Sequence, residues 1–217
     1  IEAAMAAMDV TDPLYPQCMN FWRAALSICD AGIELGRCHA ELARESAAST
    51  TNPEVRRRCL ATAVVCDRVP ARGARTLREA TQAVWFAHIL TCAEDQINAN
   101  SIGRLDQILQ PYYEQDVREN HLTPKDALEL MAEMACKLYL DYDVQQICLG
   151  GLTDKGADAV NEMTYVILEA TKALDFIRCI SVRLHRHSPD RLLRRSLAED
   201  LADGKTRTIT LRSAAWK

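Results

Sequence analysis

The sequence predicts a mainly helical chain that carries a few parallel strands. Two observations point to helix: only eight glycines among 217 residues, and apolar residues that recur three and four apart in a background rich in Ala, Leu, Glu and Arg. A third points to strand: two short segments with β-branched residues, each beside a long helix-patterned stretch, suit an α/β arrangement. A chain of this length in one domain buries about 70% of its unfolded surface, enough for a core.

Helices are predicted near 17–47, 53–67, 77–97, 104–119, 124–140, 157–173 and 189–203. Asn52-Pro53-Glu54, Thr123-Pro124-Lys125-Asp126 and Ser188-Pro189-Asp190 each set a capping side chain before a proline at the first helical position, with an acid in the first turn. Thr76-Leu77-Arg78-Glu79 has the spacing of a capping box. Pro111 is expected to break the 104–119 helix, because proline lacks the amide hydrogen that the ladder uses. Val144 to Leu149 and Cys179 to His185 are the strand candidates, and Ser46 to Asn52 is short enough to be a helix–helix connection. No repeat and no low-complexity tract interrupts the chain.

Net charge is -4 with both signs interspersed, so no electrostatic footprint for nucleic acid or an anionic membrane exists. No apolar run reaches the roughly 18 residues of a membrane span, and no basic-then-apolar leader opens the chain. The expectation is a soluble, cytoplasmic protein. Nine cysteines are scattered without a C-x-x-C pair or matching histidines, which favours buried reduced thiols over a zinc site.

Four segments carry more specific information. Val69 to Phe86 reads V-P-A-R-G-A-R-T-L-R-E-A-T-Q-A-V-W-F; Ser101 to Arg118 reads S-I-G-R-L-D-Q-I-L-Q-P-Y-Y-E-Q-D-V-R; Leu149 to Ala170 reads L-G-G-L-T-D-K-G-A-D-A-V-N-E-M-T-Y-V-I-L-E-A; and Ile180 to Leu193 reads I-S-V-R-L-H-R-H-S-P-D-R-L-L. In this order they resemble the pyruvate formate-lyase-like glycyl radical enzymes, in the branch of formate acetyltransferases and glycerol or diol dehydratases. The resemblance covers 52–203 well and the first fifty residues loosely. It implies a ten-stranded α/β barrel built of two parallel half-barrels wrapped by helices, of which this chain is a fragment supplying mainly helices and two or three strands. Residues 1–204 would be part of such a domain. Beyond Gly204 the family's glycine-rich stretch is missing, so 205–217 is a divergent tail of the kind a shifted reading frame, a truncated gene model or real divergence gives. Its T-R-T-I-T-L-R alternation can form a strand only beside another strand.

The family's chemistry runs from a glycyl radical to a cysteine thiyl radical and then to the substrate. The radical glycine sits in a motif resembling R-V-x-G-Y, and the cysteine in a loop such as G-C-x-E; neither run occurs here, so no catalytic residue is assigned. The family also implies a radical-activating enzyme that uses S-adenosylmethionine and an iron-sulfur cluster, a small-molecule substrate, and a homodimer for the intact enzyme. No cofactor is expected on the chain itself. Cys92-Ala93-Glu94 has the C-x-E spacing but lies in a helix, where a core thiol is commoner, as it is for Cys148 and Cys179.

The stretch before G-R-L-D-Q is the pocket wall that the resemblance implies. Asn98 falls where dehydratases carry histidine and Ala99 where they carry serine; an amide binds a hydroxyl or carboxylate but does not shuttle a proton near neutral pH. The alternative is that Asn98 to Ser101 caps the next helix. Gly103, Arg104, Asp106, Gly150, Gly151, Asp158, Asn161 and Arg183 are the motif positions. Arg104 and Asp106 suit an ion pair or carbonyl contacts better than substrate, and Gly150-Gly151 suits a turn better than a phosphate cradle. Strand alternation would send His185 and His187 to one face, yet no third metal ligand is visible, and Asp141 with Asp143 reads as a solvated pair. No metal site is assigned.

Two functions follow. The first is an internal fragment of a glycyl radical enzyme that cleaves a C–C, C–O or C–N bond in a small polar metabolite, completed by the remainder of the parent enzyme. The alternative is a non-catalytic helical interaction module derived from that fold.

Overall fold

The computed structural model describes residues 1–95, 100–140, 146–174, 179–201 and 208–213. The chain divides into two compact units, Ile1–Ala74 and Arg75–Lys217.

The first unit holds α1 (Glu2–Ala7), α2 (Tyr15–Ser49) and α3 (Pro53–Arg68). Where α3 lies against it, α2 presents small residues: Gly32, Gly36, Ala40 and Ala47 are its buried positions in that half. A Cβ on Gly36 would lie 2.9 Å from the Val69 carbonyl oxygen and 3.1 Å from that of Cys66, so the missing side chain sets how closely the helices meet. Asn52 caps α3 as its sequence predicts, its Oδ1 accepting from the Glu54 and Val55 amides at 2.9 and 3.3 Å. The Arg56 guanidinium closes the other side of the connection by donating to the carbonyls of Ala47 and Thr50.

The second unit holds α4 (Leu77–Asp95), α5 (Leu105–Arg118), α6 (Pro124–Leu140), β1 (Gln146–Gly150), α7 (Glu162–Leu174), β2 (Cys179–Leu184), α8 (Asp190–Leu201) and β3 (Thr208–Ser213). The strands form a parallel sheet in the order β1-β2-β3. Helix α7 makes the long connection that a parallel β1–β2 pair requires. Ile147 lies beside Ile180 and Leu149 beside Val182, all buried. Phe86, Leu105, Leu109, Met163, Leu168 and Leu192 are fully buried in the core of this unit. The alternating tail segment finds its neighbour in β2, with Ile209 beside Ile180 and Leu211 beside Val182.

The structure departs from expectation at several points. Helix α5 runs through Pro111 without a break. One lost ladder bond is outweighed by a continuous buried stripe of Leu105, Leu109 and Tyr113, at helical spacing. Helix α7 begins at Glu162, five residues later than the pattern suggests, because 152–160 folds into its own turn: the Thr153 amide donates to Ala157, the Gly156 amide to Thr153, and Gly156 sits at φ 77°. At Thr76 the capping box is displaced by one residue. Thr76 Oγ1 accepts the Glu79 amide, but the Glu79 carboxylate takes the amide and guanidinium of Arg75 instead.

Thr123 and Asp126 do form the reciprocal pair, and the Thr123 hydroxyl and amide hold the Asp126 carboxyl below its ordinary range. Buried thiols are not the rule: Cys66 is buried, Cys29 and Cys38 are exposed, and Cys18, Cys59, Cys92, Cys136 and Cys148 are half-buried. Strand β2 ends at Leu184, so it is the turn after the strand rather than strand alternation that brings the His185 and His187 rings together, edge to face with centroids 6.4 Å apart.

Candidate functional site

The two glycine-containing motifs meet at the C-terminal end of β1. The amide of Cys148 donates to the Gly103 carbonyl at 2.8 Å, and Gly103 pairs with Ile147 as an isolated parallel bridge just before α5 begins. Gly103 has φ 81°, a region that glycine alone enters without cost. This turn aims Arg104 and Asp106 back at the loop that follows β1.

Asp106 is fully buried. Its Oδ2 accepts the Gly150 amide and the Thr164 hydroxyl, both at 2.7 Å, and its Oδ1 accepts the Gln107 amide at 2.8 Å. A carboxylate that accepts several donors is retained in the interior because its hydration has been replaced. Arg104 Nη2 donates to the Gly150 carbonyl at 2.9 Å and Nη1 to that of Leu152 at 3.0 Å. Nε of Arg104 is buried without a hydrogen-bond partner among the described residues. Carbonyl contacts, rather than an Arg104–Asp106 ion pair, are therefore what the motif makes. Gln107 donates to the Ala159 carbonyl at 2.6 Å, and Gln110 accepts the Met163 amide at 2.9 Å.

The second motif supplies the other half of this joint. Gly150 and Gly151 turn the chain at φ 65° and 87°, and a Cβ on Gly151 would lie 3.2 Å from that of Arg183, whose side chain runs over it from β2. Asn161 donates to the Asp106 carbonyl at 3.3 Å while its Oδ1 accepts the Thr164 amide at 3.0 Å. The Thr164 hydroxyl answers by accepting the Asn161 amide at 3.1 Å, which caps α7. Asp158 accepts from His185 Nε2 at 2.9 Å and tethers the loop to the end of β2. The backbone amide of His187 donates to His185 Nδ1 at 3.2 Å, so the ring proton belongs on Nε2.

Of the motif positions, Gly103, Arg104, Asp106, Gly150, Gly151, Asp158, Asn161 and Arg183 thus converge on one joint. Asn98, Ala99, Asp141 and Asp143 lie outside the described residues. Asn100 and Ser101 do not cap α5, whose cap position is Arg104 without a side-chain cap bond; the Asn100 amide faces α4 instead. Among the described residues no three His, Cys, Asp or Glu side chains cluster as metal ligands, and no helix is long and apolar enough to cross a membrane.

Thr164, Gln107 and Gln110 also belong to the joint; all three stand inside the motif segments, but no pattern of theirs marked them as contacts. A groove of about 950 Å³ lies between α5, the start of α6, α7 and α8, where three of the motif segments come together. Tyr113, Lys125, Tyr165 and Arg191 line it, with the Arg191 guanidinium 4.0 Å above the Tyr165 ring. Burial pushes the phenols of Tyr113 and Tyr165 up from their ordinary range.

Comparison with known proteins agrees with the motif reading. The family model for pyruvate formate lyase-like proteins matches residues 1–204. An isethionate sulfite-lyase of Nitratidesulfovibrio vulgaris is 33% identical over 94% of this chain and 27% of its own length. A trans-4-hydroxy-L-proline dehydratase of Clostridioides difficile is 32% identical over 90% of this chain and 27% of its own. A solved structure concerning 1,2-propanediol dehydration in Roseburia inulinivorans superposes with a TM-score of 0.87 at 30% identity, covering 91% of this chain and 27% of that one. The chain spans about a quarter of the length of these relatives. On the motif joint, the family match and the superposition together, the chain belongs to the pyruvate formate lyase-like family of glycyl radical enzymes.

Proposed function

We propose that this chain is an internal part of a glycyl radical lyase or dehydratase acting on a small polar metabolite, and that the radical glycine and the catalytic cysteine belong to the remainder of the parent enzyme. The observation that carries the reading is that relatives named as a sulfite-lyase and a dehydratase run through the same residues as the family match. None of the eight glycines stands in an R-V-x-G-Y run. The relatives support the reaction class: each name denotes removal of a small group from a hydroxylated substrate, a C–O cleavage for the dehydratase and a C–S cleavage for the sulfite-lyase, which widens the C–C, C–O or C–N range expected from the sequence. Asn98 and Ala99 are proposed to face that substrate, with Asn98 hydrogen-bonding a hydroxyl or carboxylate. A cytoplasmic homodimer activated by an S-adenosylmethionine iron-sulfur enzyme completes the proposal.

The Asp106 joint suits this role, since a pocket wall must be held to within a fraction of an ångström for catalysis. It holds residues 103–110 to the loop after β1 through backbone and side-chain bonds, and Asn98 and Ala99 precede these residues in the sequence. The test is anaerobic incubation with a radical-activating enzyme and S-adenosylmethionine, read by electron paramagnetic resonance and product analysis. The 217-residue chain alone is expected to give no glycyl radical signal and no product from isethionate, trans-4-hydroxyproline or 1,2-propanediol, whereas a longer polypeptide continuing into the G-C-x-E and R-V-x-G-Y segments gives the signal. A glycyl radical in the chain alone, or its absence from the longer protein, would overturn the proposal.

A further inference from the structure

Helix α4 brings a second group of polar side chains together, apart from the Asp106 joint. His88 and Cys92 stand one turn apart on the same face. Cys92 Sγ lies 3.7 Å from Nε2 and 3.9 Å from Nδ1 of His88. Asn100 returns to that face, its Nδ2 3.4 Å from His88 Nδ1 and 3.7 Å from Cys92 Sγ. His88 is buried at 4% exposure and its ring is packed against Trp85 with centroids 5.6 Å apart, while the Lys137 ammonium lies 5.7 Å from the Trp85 centroid. The imidazole is therefore held in place, and the thiol beside it is half-buried rather than sealed.

This arrangement has the parts of an activated thiol. The thiolate is the nucleophilic form of cysteine, and a nearby imidazolium or N–H donor favours it. An amide serves the imidazole in either protonation state: its NH2 donates to a bare Nδ1, and turned over, its oxygen accepts from a protonated one. We propose that Cys92 is a modification site for small soft electrophiles, with His88 as proton acceptor and Asn100 as the residue that positions the imidazole. The Sγ–H proton passes to the ring, the sulfur electron pair forms a bond to the electrophilic carbon, and the leaving group departs with the electrons of its bond to that carbon.

Exposure alone would rank the thiols differently. Cys38 is exposed, but its thiol faces the Glu34 carboxylate at 3.5 Å, and that hydrogen bond pushes the thiol up from its ordinary range, away from the reactive form. Reactivity that follows partners and reactivity that follows exposure therefore give opposite orders for Cys92 and Cys38.

The experiment is alkylation of the whole chain with limiting iodoacetamide at neutral pH, with site-resolved rates from peptide mass spectrometry. Cys92 is expected to react about fivefold or more faster than Cys38, and His88→Gln to slow Cys92 by about tenfold without changing Cys38. Between about pH 7 and 8 the wild-type Cys92 rate should climb less steeply than in His88→Gln, where it follows pH as an ordinary thiol does. Asn100→Ala should slow Cys92 by about threefold, and Asn100→Asp, which sets a carboxylate beside the thiol as Glu34 is set beside Cys38, should slow it at least as much. Should His88→Gln lose its helical circular dichroism, the Asn100 pair decides. Cys38 outpacing Cys92, or a Cys92 rate indifferent to Asn100→Ala, would overturn the proposal.

Discussion

The carboxylate of Asp106 accepts the backbone amide of Gly150 at 2.7 Å across 44 residues of chain. Through it the start of α5 is tied to the turn that ends β1, and the same oxygen holds the Thr164 hydroxyl at the start of α7. Three elements thus share one buried anion.

Asp106→Asn should therefore be among the costly substitutions in the second unit. An amide side chain presents only one oxygen, so one of the buried donors is left unmade, at a cost of about 2–3 kcal/mol. Thr164→Val keeps the shape and removes a single donor, at about 1–2 kcal/mol. Urea denaturation should show the midpoint falling more for Asp106→Asn than for Thr164→Val; equal or negligible shifts would mean that the joint does not hold the unit together.

Gly36→Ala sets helix propensity against packing. In an open helix the change stabilises by about 1 kcal/mol. Here the new Cβ meets the backbone oxygen of Val69 at 2.9 Å, which cannot swing away as a side chain can. Overpacking of this kind costs about 1–3 kcal/mol, so the net effect is a lower thermal midpoint. Gly73→Ala, where a Cβ meets nothing within 4 Å, is the control and should be neutral or slightly stabilising.

Gly151→Ala combines two penalties. The residue lies at φ 87° and its Cβ would stand 3.2 Å from that of Arg183. The left-handed conformation alone costs a residue with a side chain about 1–2 kcal/mol. A chain with Gly151→Ala should be less stable than one with Gly156→Ala, since Gly156 shares the positive φ but has open space around it. Chemical denaturation of the two variants in parallel checks the order.

Acid should loosen the start of α3 by a known sign. Hydrogen bonds from Arg57, then Arg58, hold the Glu54 carboxyl down at about 2, below its ordinary 4.5. A folded-state value below the unfolded one means that the unfolded chain binds the proton first, so this contribution is present above about pH 4.5 and is lost as pH falls toward 2. Circular dichroism between pH 6 and 2 should show Glu54→Gln with a smaller acid-induced loss of stability than the parent chain. The group is exposed, so salt should shrink the difference.

The sequence by itself determined most of what is local. Asn52 before Pro53, and Thr123 three residues before Asp126, name their own helix starts, because capping is a contact between neighbours along the chain. The β-branched runs Val144 to Leu149 and Cys179 to His185 were legible as strands, and the helical stretch between them is the crossover that the parallel pairing implied by the family resemblance needs. Family motifs were legible as strings of residues.

The tertiary structure alone decided what those strings hold. Pro111 reads as a break, yet the burial of Leu105, Leu109 and Tyr113 keeps α5 whole. Asn100 reads as a cap for the helix after it, whereas its amide serves His88 and Cys92 on the helix before it. Arg104 and Asp106 look like a pair, but apart from the neighbouring Gln107 amide on Asp106, each finds its side-chain partners some 44 to 58 residues away. Propensity and capping act within one turn of chain, while a buried charge is satisfied by whatever donors the packed core brings to it.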